Sequence, residues 1–363
     1  MKTPFRYDYV GSFLRPLELK EARADFEAGT ITKEQLRDIE DKCIEKLVGE
    51  IKEAGYHVIT DGEYRRSWWH YDFFWGIQGI EKASSEKGLV FKGMETRAEY
   101  PKLTGKISGE NHPFVEDFKF IQQFEDDNTI AKITFPSPSQ FIKEFDREEN
   151  IEKRNELYPV REELVSDIAK AYQQIIHDLY EAGCRNIQID DCSYTRLLND
   201  SFQQDQELFK KLAEEYLEVN NRALENLPED LVINKHICRG NYRSHFFAEG
   251  GYEKIAPYIF EERINAFYLE FDDERSGNLE VLKNLKPNQK VVLGLITSKR
   301  PELEDKDFII GRIKEAGQYV PLDRLYLSPQ CGFSSTEEGN DLTFEDQWKK
   351  LGLVKEIAEE VWK

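Results

Sequence analysis

Residues 159–191 read PVREELVSDIAKAYQQIIHDLYEAGCRNIQIDD, and this stretch decides the fold. Pro159–Ala182 carries helical periodicity, stops at Gly183, and runs directly into the short apolar segment Asn186–Asp190. A glycine just past the last periodic residue is a helix stop signal. A short, nearly continuous apolar run entered straight from a helix is what a parallel strand buried on both faces looks like.

The same unit recurs along the chain. Strands are expected at Tyr7–Ser12, His57–Asp61, Ile130–Phe135, Asn186–Asp190, Leu231–Cys238, Ala266–Phe271, Val291–Thr297 and Leu325–Ser328. Between them lie helical patterns at Lys33–Ala54 (Thr32 as N-cap, Gly55 behind it), Asp205–Leu227, Asp305–Ala316 and Phe344–Trp362. Alternation of this kind implies an α/β fold with a parallel sheet. Eight strands imply closure into a (β/α)8 TIM barrel, with 1–363 as a single domain. A doubly wound open sheet is the other arrangement the alternation allows. The absence of a GxGxxG phosphate turn weakens its nucleotide-binding forms.

The rhythm breaks at 75–128, an insertion after the second strand in which Leu89–Gly93 and Leu103–Ile107 read as short strands. Extended loops at this end of a barrel surround the active site. The chain carries 70 acidic against 50 basic residues, a formal charge of -20. That balance repels nucleic acid and anionic membrane surfaces, and Arg65-Arg66 and Lys299-Arg300 are the nearest approach to a basic patch. No segment approaches the roughly 18 apolar residues of a membrane span, and the first residues lack the apolar core of a signal peptide. Five cysteines, few and odd in number, argue against a disulfide framework. A cytoplasmic protein is expected, its cysteines candidates for metal binding or catalysis.

His236-Ile237-Cys238 carries the strongest chemical signal. Side chains two apart on a strand point the same way, so this histidine and cysteine converge on one ion. Cys331, in Ser328-Pro329-Gln330-Cys331-Gly332, follows the eighth strand, and Glu270 ends the sixth. The carboxyl ends of barrel strands meet in one bowl, which assembles residues distant in sequence. A His/Cys/Cys set with an optional carboxylate suits Zn2+, three firm ligands leaving a fourth position open. The structural alternatives are Cys331 as a small core residue and Glu270 as a partner of Arg275. Cys43, Cys184 and Cys192 read as ordinary cysteines. His57 reads as packed in its strand and His177 as helical, with His70, His112 and His245 as loop or solvent-facing residues. Among the strand-end acids, Glu63 and Asp190 are the better placed for ligand binding. Asp61 reads as a solvated loop residue and Asp191 as a helix cap. Gly11 and Ser12 permit close backbone approach and hydrogen bonds to a small polar ligand.

In order along the chain, Val10-Gly11-Ser12-Phe13, Asp61-Gly62-Glu63, Ile187-Gln188-Ile189-Asp190-Asp191, His236-Ile237-Cys238, Glu270 and Ser328-Pro329-Gln330-Cys331-Gly332 resemble the catalytic barrel of the cobalamin-independent methionine synthases. The resemblance implies a zinc-dependent S-methyltransferase that makes methionine from homocysteine with a methyltetrahydropteroyltriglutamate-type donor. It implies zinc on His236, Cys238, Cys331 and, without substrate, Glu270. Ser12, Glu63 and Asp190 fall at positions that bind the amino-acid part of homocysteine. Three departures stand out. The chain has length for one barrel where full-length family members have two. Asp190-Asp191-Cys192-Ser193 replaces the family's Asp-Glu-Pro-Ala. Thr297 occupies the position of the family's proton-transferring histidine, and threonine cannot protonate a leaving nitrogen as imidazole does. Alkyl transfer to another thiol or from a non-folate donor therefore stands as the alternative. A zinc hydrolase is disfavoured because two thiolates make zinc a poorer Lewis acid for water, and a non-catalytic zinc-binding barrel is the remaining class.

Overall fold

The computed structural model describes residues 3–363. In chain order the strands are β1 (Val58–Ile59), β2 (Gln78–Ser84), β3 (Val90–Phe91), β4 (Met94–Glu95), β5 (Glu99–Ser108), β6 (Ile130–Ala131) and β7 (Ile133–Pro136). They continue as β8 (Asn186–Asp191), β9 (Val232–Ile237), β10 (Ala266–Glu270), β11 (Lys290–Ile296) and β12 (Leu325–Pro329). β7 through β12 form one parallel sheet in sequential order, and β1 pairs in parallel with β6. β6 and β7 are one course of chain interrupted at Lys132, whose N–H still donates to Ile59 O at 2.8 Å.

The expected first strand, Tyr7–Ser12, is not a ladder strand. Tyr7 makes a single parallel bridge to Leu327, and Asp8 N donates to Leu327 O at 3.0 Å. Beyond that point the backbone bonds elsewhere: Tyr9 N donates to the Asp8 carboxylate at 2.7 Å, and Ser12 O accepts from Phe333 N at 2.9 Å. Gly11, at φ +142°, brings the chain so close to Thr134 that a Cβ would lie 2.9 Å from its methyl. Toward β1 the seam is crossed by Phe13 N donating to Gly62 O at 3.0 Å and by the Tyr9 hydroxyl on Val58 O. The α/β parallel sheet is thus as expected, while the eight expected strands do not form one closed ladder among the described residues.

The helices follow the sequence pattern closely. Lys33–Glu53 starts in a capping box made by Thr32 and Gln35, the reciprocal bonds that satisfy two orphan N–H groups. Arg161–Glu181, Gln206–Ala223, Lys306–Ala316 and Phe344–Val361 pack their apolar stripes on the outer face of the sheet. Within 75–128, β2 and β5 pair antiparallel, β3 and β4 make a hairpin, and Phe114–Gln122 is helical. Lys92 N, at the hairpin tip, donates to Phe246 O at 3.2 Å.

Strand alternation separates two environments. Ile187, Ile189, Ile233 and Ile237 join the main core with the helices, whereas Val10, Tyr268, Val292 and Tyr326 form a separate cluster on the other face. Register places Asp190, His236 and Tyr268 side by side on β8, β9 and β10. That row leads to the site. Among the described residues no helix is long and apolar enough to cross a membrane.

Candidate metal centre

His236 and Cys238 project from the carboxyl end of β9, and Cys331 follows β12 two residues beyond Pro329. One ligand atom from each lies within 4.8 Å of the others, and all three residues are buried. The two sulfurs are 3.6 Å apart, far from a disulfide and close to the roughly 3.8 Å that two thiolates span across a tetrahedral zinc with 2.3 Å bonds. His236 Nδ1 lies 3.2 Å from Tyr268 O, which fixes the ring. Its Nε2 is buried with no protein partner. A buried, unsatisfied imidazole nitrogen beside two non-bonded sulfurs fits a dication.

The Cys238 thiol is pushed well up by the neighbouring Cys192 and by burial, and that of Cys331 by the neighbouring Cys238 thiol and by burial. Burial opposes charge on His236, yet Cys331 raises its pKa on balance. Cations that bind such sites displace these protons. Glu270, fully buried, is not one of the three. Its Oε1 accepts from Arg239 N at 2.6 Å and its Oε2 from Gln330 Nε2 at 3.1 Å. Burial disfavours its ionisation, but Lys299, Arg239 and His236 hold its carboxyl below the usual range.

The same cavity, of about 220 Å³, is lined by Ser12, Glu63 and Asp190 together with the three candidate ligands. Glu63 adopts a left-handed backbone (φ 61°), which costs a non-glycine residue energy and persists only when its surroundings dictate it. Here Asp61 Oδ1 accepts from Glu63 N at 2.9 Å and Arg15 donates to Glu63 O at 2.7 Å. Burial pushes the Glu63 carboxyl up despite Arg66 and Arg15, and its Oε2 has no partner. Asp190 lies well above the carboxylate range, through burial and then the charge of Glu63. Two such carboxylates lining one cavity would suit a cationic ligand such as an ammonium group. Ser12 Oγ accepts from Ser334 N at 3.3 Å and sits against Gly332, where a Cβ would fall 1.9 Å from that oxygen.

Several residues depart from the sequence reading. Cys192 lines the same cavity as Cys238, because the register Asp191↔Ile237 carries the two strand ends side by side. His70 and His112 are buried among aromatic rings, not loop-exposed. His70 also lines the cavity, and burial drives its pKa down to about 3, so it is neutral. Asp191 faces the helices, bound to Lys235. Thr297 follows β11, with its N–H donating to Glu304 at 2.9 Å and its hydroxyl accepting from Lys299 N at 3.3 Å. Trp68, Trp69, Tyr242 and Phe247, with Leu89 and Phe91 of the hairpin segment, also line the cavity.

Residues 6–359 match the cobalamin-independent synthase catalytic domain. The Bacillus subtilis proteins YxjH and YxjG, both uncharacterized, are 43% identical over 371 and 368 residues, covering 100% of this chain and 96% of theirs. A methionine synthase of Saccharolobus solfataricus is 27% identical over 89% of this chain and 86% of its own. A Listeria monocytogenes structure assigned as a vitamin-B12-independent methionine synthase superposes with a TM-score of 0.80 at 37% identity, covering 100% and 99% of the two chains. A Shewanella B12-independent methionine synthase, solved with selenomethionine, shares the fold at a TM-score of 0.75 and 22% identity, covering 98% of this chain and 97% of its own.

Proposed function

The chain belongs to the family of cobalamin-independent synthase catalytic domains, and on that footing we propose that it is a zinc-dependent methyltransferase acting on the thiol of homocysteine to form methionine. The observation that carries the reading is the shared cavity: two thiols and an unpartnered imidazole nitrogen on one wall, Glu63 and Asp190 on another. A thiol that also carries an ammonium group satisfies both walls at once.

His236, Cys238 and Cys331 would hold the metal. Zinc, when bound, supplies the charge that keeps a substrate sulfur as thiolate at neutral pH. Glu270, which accepts from Arg239 N and Gln330 Nε2, would exchange one of these bonds to fill a fourth position when no thiol is present. Glu63 and Asp190 take the substrate ammonium, and Ser12 contributes a hydroxyl on the same wall. Together they fix the sulfur's position and exclude water, which is how a protein accelerates a displacement at carbon. The strand ends are read as one barrel bowl, with the 75–128 insertion as its rim.

The aromatic end of the cavity is assigned to the methyl donor, of the methyltetrahydropteroyltriglutamate type. Thr297, hydrogen-bonded within its own turn, offers no imidazole to a leaving nitrogen. That observation keeps a second reading open, transfer from a donor other than folate or to another thiol. The deciding experiment loads the purified protein with one zinc per chain and measures methyl transfer to homocysteine from methyltetrahydrofolate and from a sulfonium donor. Transfer should stop on chelation and return with zinc. A zinc-loaded protein that methylates homocysteine from neither donor refutes the reading.

Asp190→Asn is expected to weaken homocysteine binding by about 10- to 100-fold, the span of one charge-assisted hydrogen bond. Calorimetry on the zinc-loaded protein measures it. An unchanged Kd would remove Asp190 from the acceptor site.

A further inference from the structure

Lys132 lies inside the sheet between β6 and β7 and is 2% exposed. An interior ammonium needs a fixed partner for each proton. Its three acceptors are Asp8 Oδ1 at 3.2 Å, Gln188 Oε1 at 3.1 Å and Tyr9 O. The contact with Gln188 decides which way that amide faces. With its oxygen turned to Lys132, the NH2 group donates to Val10 O at 2.7 Å and to Asp190 Oδ1 at 2.8 Å. The flipped amide would set its NH2 against the ammonium and its oxygen against a carbonyl and a carboxylate, so only one orientation survives.

Asp8 extends the chain of contacts the other way. Its Oδ2 accepts from the Tyr268 hydroxyl at 2.7 Å, and Tyr268 O is the backbone group that contacts His236 Nδ1. A run of polar contacts beneath the cavity therefore joins Asp190 on the acceptor wall to the residue that steadies His236. Its centre is the one charge that imposes an orientation on the rest.

We propose that Lys132 is a positioning residue for acceptor selection, locking Gln188 so that Asp190 presents its free oxygen to the α-ammonium group of an amino-acid thiol. This rests on the reading of Glu63 and Asp190 as the partners of that ammonium. Lys132 touches no substrate in this scheme; it acts through Gln188.

The test compares L-homocysteine with 4-mercaptobutanoate, which keeps the thiol and carboxylate and lacks the amino group. Binding of each to the zinc-loaded protein is measured by calorimetry. The wild-type chain should prefer homocysteine by about 10- to 100-fold. Gln188→Leu and Lys132→Met should each narrow that preference roughly tenfold while zinc content and 4-mercaptobutanoate affinity stay unchanged. Because Lys132→Met leaves Asp8 unpaired, Lys132→Met with Asp8→Asn provides a variant with no stranded charge. Preference retained in Gln188→Leu and in the double variant overturns the proposal, as does equal weakening of both ligands, which marks structural damage. A wild-type chain with no preference refutes the ammonium reading itself and the proposal with it.

Discussion

Cys238→Ser is expected to leave less than about one-tenth of the zinc in dialysed protein and to lower methyl transfer by at least about a thousandfold. Serine matches cysteine in shape, but its hydroxyl stays protonated at neutral pH and is a hard donor, so the set falls to one imidazole and one thiolate. A Lewis-acid contribution of several kcal/mol then disappears, and about 4 kcal/mol corresponds to three orders of magnitude in rate. Cys192→Ser is the matched control. Its side chain lines the same cavity but lies outside the group of three, so that variant should keep its metal. Metal analysis and rate together decide the assignment. Full zinc occupancy in Cys238→Ser would show that the three residues are not the ligand set, whatever the rate.

The contrast between these two cysteines marks what a sequence reveals. His236 and Cys238 were legible because period-two geometry fixes their common direction without knowledge of any neighbour. Cys331 was legible because a strand end beside Pro329 and Gly332 points to the same bowl. Cys192 was not, since Asp190-Asp191-Cys192 looks like the start of a helix, and Ser193–Arg196 is indeed helical. Only the register of β8 against β9 sets it beside the strand end that carries Cys238. Aligning the two expected strands by their ends would have exposed the pair.

The first strand failed for a related reason. Tyr7–Ser12 has the composition of a strand, but ladder formation depends on where its N–H and C=O groups bond, and Asp8 and Phe333 take two of them. His70 and His112 have no partner spacing in the sequence, and so read as loop or solvent-facing residues. Their burial comes from aromatic neighbours such as Tyr71 and Phe73, in a segment whose fold the insertion completes. Local pattern carried the helices and the His236/Cys238/Cys331 cluster, whereas the aromatic lining of the cavity is built from contacts between segments far apart in the chain.

Lys235→Met is expected to cost about 3–5 kcal/mol of stability, the usual consequence of removing one partner from a buried ionic cluster. Lys235 follows Asn234 on β9 and precedes His236, so alternation turns it to the helix side, where it is 1% exposed. Its ammonium meets Asp191 at 2.7 Å and both oxygens of Glu262 at 2.7 and 2.8 Å. Asn220 donates to the same Glu262 at 2.8 Å, and Ser193 donates to Asp191 from both its N–H and its hydroxyl at 2.6 Å. Burial works against ionisation of Asp191, but Lys235 and then Ser193 outweigh it and hold that carboxyl below the usual range. Glu262 goes the other way: burial outweighs Lys235 and raises it. Removing the ammonium leaves two acids close together in a dry interior, where at least one must take a proton or the cluster must open. The comparison that isolates this effect is the triple variant Lys235→Met, Asp191→Asn, Glu262→Gln, which has no charge left to strand and should recover much of the loss. Urea unfolding with wild-type cooperativity measures both. Equal midpoints for Lys235→Met and the wild-type chain would mean that the cluster is solvated, not buried, and that β9 owes its register to apolar packing alone.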